Sequence, residues 1–193
     1  MSSTESPAHF PVQSIESAPE RSRDALARLK AAVGGVPNLA AVMASSPALI
    51  DSFVTLRTLF HAHSTFTKPE RELIFLTNAL ENGCAYCSAI HTAFAHQEGL
   101  AAEAIQAVRE KRLPADPRLA ALVAFDRQLI RQRGRVSDAE VEAFLRAGFA
   151  PAQALELIAG AALSTLANFT GRLSQAPLDE FLVAHRLASS AEA

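Results

Sequence analysis

Residues 70–91 read ERELIFLTNALENGCAYCSAIH, and this stretch decides which fold the chain adopts. Apolar residues recur in it at helical spacing, and Gly83 interrupts them as a typical helix end. Thr67 and Glu70 form a capping-box pattern with Pro69 inside it, so the first helix is expected to begin there. The stretch therefore predicts two consecutive helices, the second beginning near Cys84.

Capping and stop signals divide the rest of the chain in the same way. Ser17 with Glu20 and Ser137 with Glu140 resemble capping boxes, and Gly34, Gly134 and Gly148 resemble helix ends. No segment shows the alternating pattern of a strand. The chain is therefore predicted to be all-α, a compact bundle of about nine or ten helices. The predicted helices cover residues 17–33, 37–44, 46–64, 67–82, 84–99, 101–111, 116–133, 137–148, 151–173 and 178–187.

Length and composition fit one globular domain. The chain has 193 residues, of which 49% are hydrophobic and 20% charged, and its net charge is -2. This balance gives no electrostatic reason to expect nucleic acid or an anionic membrane as a partner. We predict a single helical domain over residues 17–188, with its functional core at 67–99 and a loose N-terminal segment at 1–16.

Neither a membrane span nor a secretory signal is visible in the sequence. No uninterrupted apolar run approaches the roughly 20 residues that a transmembrane helix needs. The first ten residues, 1–10, are polar and lack the basic and apolar regions of a signal peptide. The two cysteines are also too few for a secreted disulfide scaffold. A cytoplasmic location is the expectation.

The predicted helix at 151–173 is apolar on almost every side. Such a helix is expected to be buried all round, either at the centre of the bundle or at a subunit interface, and we favour the interface. Two of its polar residues, Asn168 and Arg172, lie one turn apart. Buried polar groups need partners, so these two are expected near an active site or across an interface.

The only two cysteines, Cys84 and Cys87, point to thiol chemistry. With His91 they fall within a sector of about 60° on one helix face, so the two sulfurs and the imidazole are neighbours. Backbone N–H groups at the helix start stabilise a thiolate, and His91 can accept a proton from a thiol. Glu72, if it faces inward, is a buried carboxyl suited to proton transfer.

Other interpretations of the same residues remain open. The cysteines could be inert core residues, or Cys84, Cys87 and His91 could bind a metal with Glu72 as fourth ligand. One helix face is cramped for tetrahedral metal binding, so no metal is expected. Glu72 could also be a plain surface residue.

The segment resembles the alkylhydroperoxidase D group of the carboxymuconolactone decarboxylase superfamily. The resemblance rests on Glu72, Cys84, Cys87 and His91 at their observed spacing, with Asn82-Gly83 before the first cysteine and Tyr86 between the pair. It is close over residues 67–99 and extends more softly over about 20–185. It implies the all-helical alkylhydroperoxidase-like fold and a homo-oligomer: a trimer, a hexamer or a dimer.

The resemblance also implies a division of labour in an antioxidant enzyme, a thiol peroxidase. Cys87 would attack hydrogen peroxide or an organic hydroperoxide, and Cys84 would donate a proton and then resolve the intermediate as a disulfide. Glu72 and His91 would relay protons. No cofactor would be bound, and an external dithiol on a partner protein, such as a lipoyl group, would reduce the disulfide. Tyr86 stands where the best-characterised members carry a second histidine, and tyrosine is a poor base near neutral pH.

Two questions stay open at the level of sequence. The helix start favours Cys84 as the more acidic thiol, whereas the resemblance and the proximity of His91 favour Cys87 as the attacking one. The function could also be that of the decarboxylase-type lyases of the superfamily, or of a redox-sensing protein without turnover. The lyase branch does not rely on a Cys-x-x-Cys pair, so Cys84 and Cys87 argue against it.

Overall fold

Nine α-helices and one short 3₁₀-helix make up the regular structure of this computed structural model, which describes residues 9–187. Within that range there is no β-strand, so the predicted all-α class is confirmed. The last predicted helix is 3₁₀ rather than α. The helices are α1 (Glu20–Val33), α2 (Asn38–Met43), α3 (Pro47–His63), α4 (Lys68–Glu81), α5 (Ala85–Gln97), α6 (Ala102–Arg109), α7 (Pro117–Arg131), α8 (Asp138–Arg146) and α9 (Pro151–Ser174), followed by the 3₁₀-helix Glu180–His185.

Side-chain caps begin most of these helices where the sequence predicts them. Thr67 and Ser137 each close a full capping box, and Ser46 and Asp116 cap the helices that follow them. The capping box expected at Ser17 is wrong. The chain enters α1 through Pro19, and no side chain caps the helix. The Ser17 hydroxyl instead accepts a hydrogen bond from the backbone N–H of Ser14, at 2.8 Å, in the preceding turn.

Helix α4 runs through the middle of the domain. Every residue from Glu72 to Leu80 is buried, because α4 packs against α5, α6, α7 and α9. Leu73 and Leu76 face α6 and α7, while Ile74 packs with Leu122 and Phe125. Burial of each such side chain stabilises the fold by about 1.5–3 kcal/mol. The position of α4 places Glu72 in the interior.

Helix α9 is covered on one side only. Leu157, Leu163 and Ala167 are buried on its inner face. On its outer face four large apolar side chains are between 53% and 69% exposed: Leu155, Ile158, Phe169 and Leu173. The expectation that α9 lies at the centre of the bundle is therefore wrong, because α2, α3, α4 and α5 pack against it from one side. We call these four side chains the outer stripe of α9.

The two ends of the described chain pack against the bundle. Of the segment expected to be loose, residues 1–8 lie outside the described part, and Phe10 and Ile15 pack against the core. At the other end, the carboxylate of Asp179 accepts a hydrogen bond from the backbone N–H of Asn38, with both oxygens at 3.2 Å. This contact holds the segment after α9 against the start of α2.

No single helix within residues 9–187 combines the length and the apolar character needed to cross a bilayer. The pair α8 and α9 meets these criteria together, but the two helices are bent by 109° relative to each other.

Candidate active site

The turn between α4 and α5 sets the position of the first cysteine. Gly83 adopts a left-handed conformation, with φ at 68°, and the backbone N–H of Cys84 donates to the carbonyl of Ala79 at 2.8 Å. This pattern is a helix C-terminal motif that favours glycine. Because the turn consists of only two residues, Asn82 and Gly83, Cys84 is itself the N-cap of α5. Both cysteines therefore lie in or beside the first turn of α5.

The two thiols are free, buried and in contact with one another. The sulfur of Cys84 accepts a hydrogen bond from the backbone N–H of Cys87 at 3.3 Å. The pKa of Cys84 is lowered, first by the hydrogen bond from the Cys87 thiol and then by backbone N–H groups and Arg172, against the opposing effect of burial. The pKa of Cys87 is raised by the same hydrogen bond and by burial. The pair therefore favours a thiolate at Cys84 and a thiol at Cys87.

Glu72 and His91 form a second pair beside the thiols. An oxygen of Glu72 lies 2.8 Å from Nδ1 of His91, and Glu72 is only 7% exposed. A carboxylate partner favours the tautomer with the proton on Nδ1, which leaves Nε2 as the free acceptor. The imidazole packs against the ring of Phe75, with centroids 5.0 Å apart. Glu72 thus faces inward and contacts His91 rather than either cysteine.

A small cavity of about 90 Å³ gives access to one of the two thiols. Cys87 and His91 line it and Cys84 does not, so we call it the Cys87 cavity. Most of its wall is apolar, including Leu29, Met43 and Phe53. Cys87 is therefore the thiol that borders the cavity, although both cysteines are only 1% exposed and electrostatics makes Cys84 the more acidic one.

His61 also lines the Cys87 cavity. Burial, followed by the charge of Arg57, lowers the pKa of His61 to about 4. His61 is therefore neutral at pH 7. Its ring lies beside Phe75, with centroids 6.1 Å apart, and Phe75 in turn packs on His91.

Tyr86 points away from the proton relay. Its hydroxyl donates to the carboxylate of Asp179, which lies just before the 3₁₀-helix. Burial and this carboxylate raise the pKa of Tyr86, so the phenol stays protonated at any physiological pH. Tyr86 therefore ties the C-terminal segment to α5 and supplies no base in place of a second histidine.

A row of polar contacts joins α4 to α9 beside the thiols. Asn78 donates to the hydroxyl of Ser164 at 3.1 Å, Asn82 donates to the side-chain oxygen of Asn168 at 2.9 Å, and Arg172 donates to the carbonyl of Asn82 at 3.1 Å. The Asn168 side chain also hydrogen-bonds to the Cys87 thiol. Of the two expected locations, Asn168 and Arg172 thus occupy the one beside the candidate active site.

Gly171 lets α9 approach the thiols closely. A Cβ atom at this position would lie 2.7 Å from the sulfur of Cys84, which is closer than real contacts allow. The absence of a side chain therefore makes room for Cys84 under α9.

The four residues singled out by sequence, Cys84, Cys87, His91 and Glu72, lie together between α4 and α5. Among residues 9–187, no group of three or more histidine, cysteine or acidic side chains is arranged to hold a metal ion. Sequence reasoning missed the cavity wall from α3, where Phe53, Arg57 and His61 follow one another at intervals of four. Their spacing of four residues predicts that the three side chains share one face of α3, and this pattern could have indicated the cavity wall.

Comparisons with known proteins agree with this architecture. The sequence model of the Carboxymuconolactone decarboxylase family matches residues 47–127. An alkylhydroperoxidase AhpD core, peroxidase-related protein from Ralstonia eutropha JMP134, is 23% identical, with a TM-score of 0.78 over 90% of this chain and 93% of its own. A peroxidase-related protein from Silicibacter sp. TM1040 is 18% identical, with a TM-score of 0.75 over 94% and 97%.

A third solved structure with this fold has a different activity in its name. The debrominase Bmp8 in complex with 2,3,4-tribromopyrrole is 16% identical, with a TM-score of 0.76 over 95% of this chain and 97% of its own. At these identities the likeness shows the shared fold. No curated protein sequence matches the chain.

Proposed function

We propose that this chain, an alkylhydroperoxidase D-like member of the carboxymuconolactone decarboxylase superfamily, is a thiol-dependent peroxidase. It reduces hydrogen peroxide or an organic hydroperoxide to water or an alcohol, with a Cys84–Cys87 disulfide as the oxidised product. One observation carries the proposal. Two free thiols in contact lie at a helix start, and the one that borders the cavity shares it with a histidine held by a buried carboxylate.

The first step is attack by Cys87 on the peroxide. Cys84, held as a thiolate by the first turn of α5, accepts the Cys87 proton across their hydrogen bond. The Cys87 thiolate then displaces the terminal oxygen of the peroxide, which breaks the O–O bond and leaves Cys87 as a sulfenic acid. The alkoxide or hydroxide that departs takes a proton from His91, which holds at Nε2 the proton released when Cys84 ionised and whose charge Glu72 stabilises. This order reconciles an acidic Cys84 with an attacking Cys87.

The second step closes the disulfide. Cys84 attacks the sulfur of the Cys87 sulfenic acid, and the hydroxide that leaves takes up the proton that Cys84 loses and becomes water. An external dithiol then reduces the disulfide, so the sum is one peroxide and one dithiol converted to alcohol, water and an oxidised donor. A lipoyl group on a partner protein has the right chemistry for this donor.

Thiol counting and turnover test the proposal directly. The reduced protein, mixed with hydrogen peroxide, should lose both thiols and then turn over with dihydrolipoamide. Trapping of sulfenic acid should label Cys84→Ser, which retains Cys87, and not Cys87→Ser. Labelling of Cys87→Ser alone would invert the roles. Thiol loss without turnover would favour a redox sensor, and no thiol loss would exclude both the enzyme and the sensor.

A second candidate is reductive dehalogenation, favoured by the apolar and aromatic wall of the Cys87 cavity. In this reaction a brominated ring gains hydrogen and releases bromide, and the two thiols supply the electrons as they form the disulfide. Bromide release from 2,3,4-tribromopyrrole by the reduced protein would support it. Peroxide turnover without bromide release would leave the peroxidase as the function.

The proposal also includes the oligomeric state and the cellular location. The outer stripe of α9 is suited to a contact between identical subunits, because exposed apolar side chains at helical spacing favour burial. A close dithiol pair works in a reducing compartment, which supports a cytoplasmic location. Light scattering measures the oligomeric state, and a monomer at micromolar concentration would contradict a subunit contact through the outer stripe of α9.

A further inference from the structure

Arg57 places a positive charge in the wall of the Cys87 cavity. It lies on α3, one turn after Phe53 and one turn before His61, and all three side chains line the cavity together with Cys87. Phe53 and Phe94 provide aromatic surface nearby. Arg57 is therefore the one arginine or lysine among the cavity-lining residues of the described chain.

The guanidinium has no hydrogen-bond acceptor and no ion-pair partner among residues 9–187. Among the other half-buried arginines of the described chain, Arg109 and Arg118 each have a carbonyl or carboxylate within 3.0 Å, whereas Nε of Arg71 has no hydrogen-bond partner. Glu72 attracts Arg57 through space, but the Glu72 carboxylate makes its close contact with His91, at 2.8 Å. The five N–H donors of this guanidinium are therefore left to solvent or to a ligand in the cavity.

The neighbouring groups do not supply the missing acceptor. His61 is neutral at pH 7 and has one acceptor nitrogen, but its ring is tilted against Phe75 and makes no hydrogen bond to Arg57. The hydroxyl of Tyr86 is committed to Asp179, and that of Ser164 already accepts from Asn78. A ligand with an anionic oxygen would therefore complete this wall of the cavity.

We propose that Arg57 is a specificity-determining residue that binds the carboxylate of the substrate, and that the preferred peroxide is a short organic hydroperoxide bearing a carboxylate. This inference rests on the proposed peroxidase function. The hydroperoxide end lies at Cys87, the alkyl part contacts the apolar wall, and the carboxylate receives two N–H bonds from the guanidinium. The carboxylate is unchanged in the reaction, in which the two thiols reduce the hydroperoxide to a hydroxyl group and water as they form the disulfide.

The size of the cavity limits the substrate. The cavity volume of about 90 Å³ is well below the roughly 300–1,000 Å³ typical of pockets for drug-sized ligands. It therefore favours a compact chain of a few carbon atoms between the carboxylate and the peroxide over a long fatty acyl chain.

A matched pair of peroxides tests the inference. In 3-hydroperoxy-3-methylbutanoate the carboxylate takes the place of the terminal methyl group of tert-amyl hydroperoxide, and the reacting end is the same. The reduced protein should be oxidised about tenfold faster by the carboxylate compound, because a charge-assisted pair is gained. In Arg57→Gln this ratio should fall to about one. Arg21→Gln, which removes an exposed charge on α1, should leave the ratio unchanged.

A binding measurement separates this inference from the peroxidase function. Isovalerate is the unreactive analogue of the carboxylate probe, and isopentanol is its neutral counterpart. Ligand-observed NMR should show isovalerate binding to the reduced protein, weakened about tenfold in Arg57→Gln. If neither peroxide reacts but isovalerate binds through Arg57, the peroxidase function fails and the carboxylate site stands.

Three results would overturn the carboxylate site. One is a wild-type protein that oxidises with both peroxides at the same rate. Another is Arg57→Gln slowing both peroxides by an equal factor, because Arg57 would then act on Glu72 rather than on the substrate. The third is isovalerate binding that Arg57→Gln leaves unaltered.

Discussion

Glu72 and Asp126 are both carboxyl groups in the helical interior, but their surroundings differ. Glu72, on α4, has the imidazole of His91 at 2.8 Å and lies behind the Cys87 cavity. Asp126, on α7, is 0% exposed, and within the described chain neither of its oxygens has a hydrogen-bond partner. Burial alone therefore does not make a carboxyl group useful. A buried acid can relay protons only where a partner connects it to a cavity.

The isolation of Asp126 has a physical cause in the neighbouring ion pairs. Glu81 engages Arg127 at 3.0 Å and Arg131 at 2.7 Å. Burial and then the charge of Glu81 raise the pKa of Asp126 well above its usual range, and Arg127 opposes this only in part. Asp126 thus remains protonated under conditions in which an ordinary aspartate is charged.

Breaking the Glu72–His91 pair should have the largest effect. Glu72→Gln removes the negative charge that stabilises the imidazolium, so oxidation of the thiols by peroxide should slow by about 10² or more. Stopped-flow thiol loss measures this rate. The control is Glu142→Gln, which removes an exposed carboxylate from α8 and should not change it. An unaltered rate in Glu72→Gln would remove Glu72 from the relay.

Replacing the ionisable carboxyl group of Asp126 by an amide should change how stability depends on pH. The pKa of Asp126 is higher in the folded state than in the unfolded one. The contribution of Asp126 to the free energy of unfolding is therefore fully present below about pH 4, and it is lost as the pH rises toward the pKa of the folded state. The slope is about 1.4 kcal/mol for each pH unit in that interval.

Urea unfolding of Asp126→Asn and wild type measures this slope. The free energy of unfolding should fall less steeply in the variant between pH 4 and 7. Asp24→Asn, at an exposed position on α1, serves as the control. If wild type and Asp126→Asn show parallel profiles, Asp126 is already ionised in the fold.

The close packing of α9 on the Cys84 sulfur leaves no room for a side chain at Gly171. In Gly171→Ala the new Cβ would lie 2.7 Å from the Cys84 sulfur, so the fold should lose about 1–3 kcal/mol and the pH profile of thiol alkylation should shift upward. In Gly160→Ala the nearest atom belongs to Phe60, at 3.3 Å, away from the thiols. Equal alkylation profiles in both variants would contradict the close approach at Cys84.

Tyr86→Phe should have the smallest effect. Loss of the hydroxyl bond to Asp179 should cost about 1.5 kcal/mol of stability, measured by thermal or urea unfolding. The rate of thiol oxidation by peroxide should stay as in wild type, because the hydroxyl faces the C-terminal segment. A slower reaction would show that Tyr86 takes part in proton transfer after all.

Local signals explain which features the sequence could predict. The Thr67–Glu70 capping box and Gly83 act within a few residues, so the bounds of α4 and the start of α5 follow from them. The spacing of Cys84, Cys87 and His91 likewise fixes their shared face once the helix is given. These features place most of the candidate site before any tertiary structure is known.

Contacts between distant segments explain the rest. The bond between Tyr86 and Asp179, the exposure of the outer stripe of α9 and the place of Arg57 in the cavity depend on which helices become neighbours. Ser17 shows the same limit at short range. A serine three residues before a glutamate fits a capping box, but a turn with Ser14 competed for its hydroxyl.

The N-cap position of Cys84 has a consequence for the reduction potential of the pair. The Cys84 sulfur accepts the backbone N–H of Cys87 most strongly as a thiolate, and disulfide formation removes that charge from the helix start. The fold thus stabilises the dithiol over the disulfide. Each kcal/mol of this preference raises the potential by about 20 mV. The helix start therefore makes the disulfide easier for a donor to reduce, and the chain returns more readily to its dithiol form.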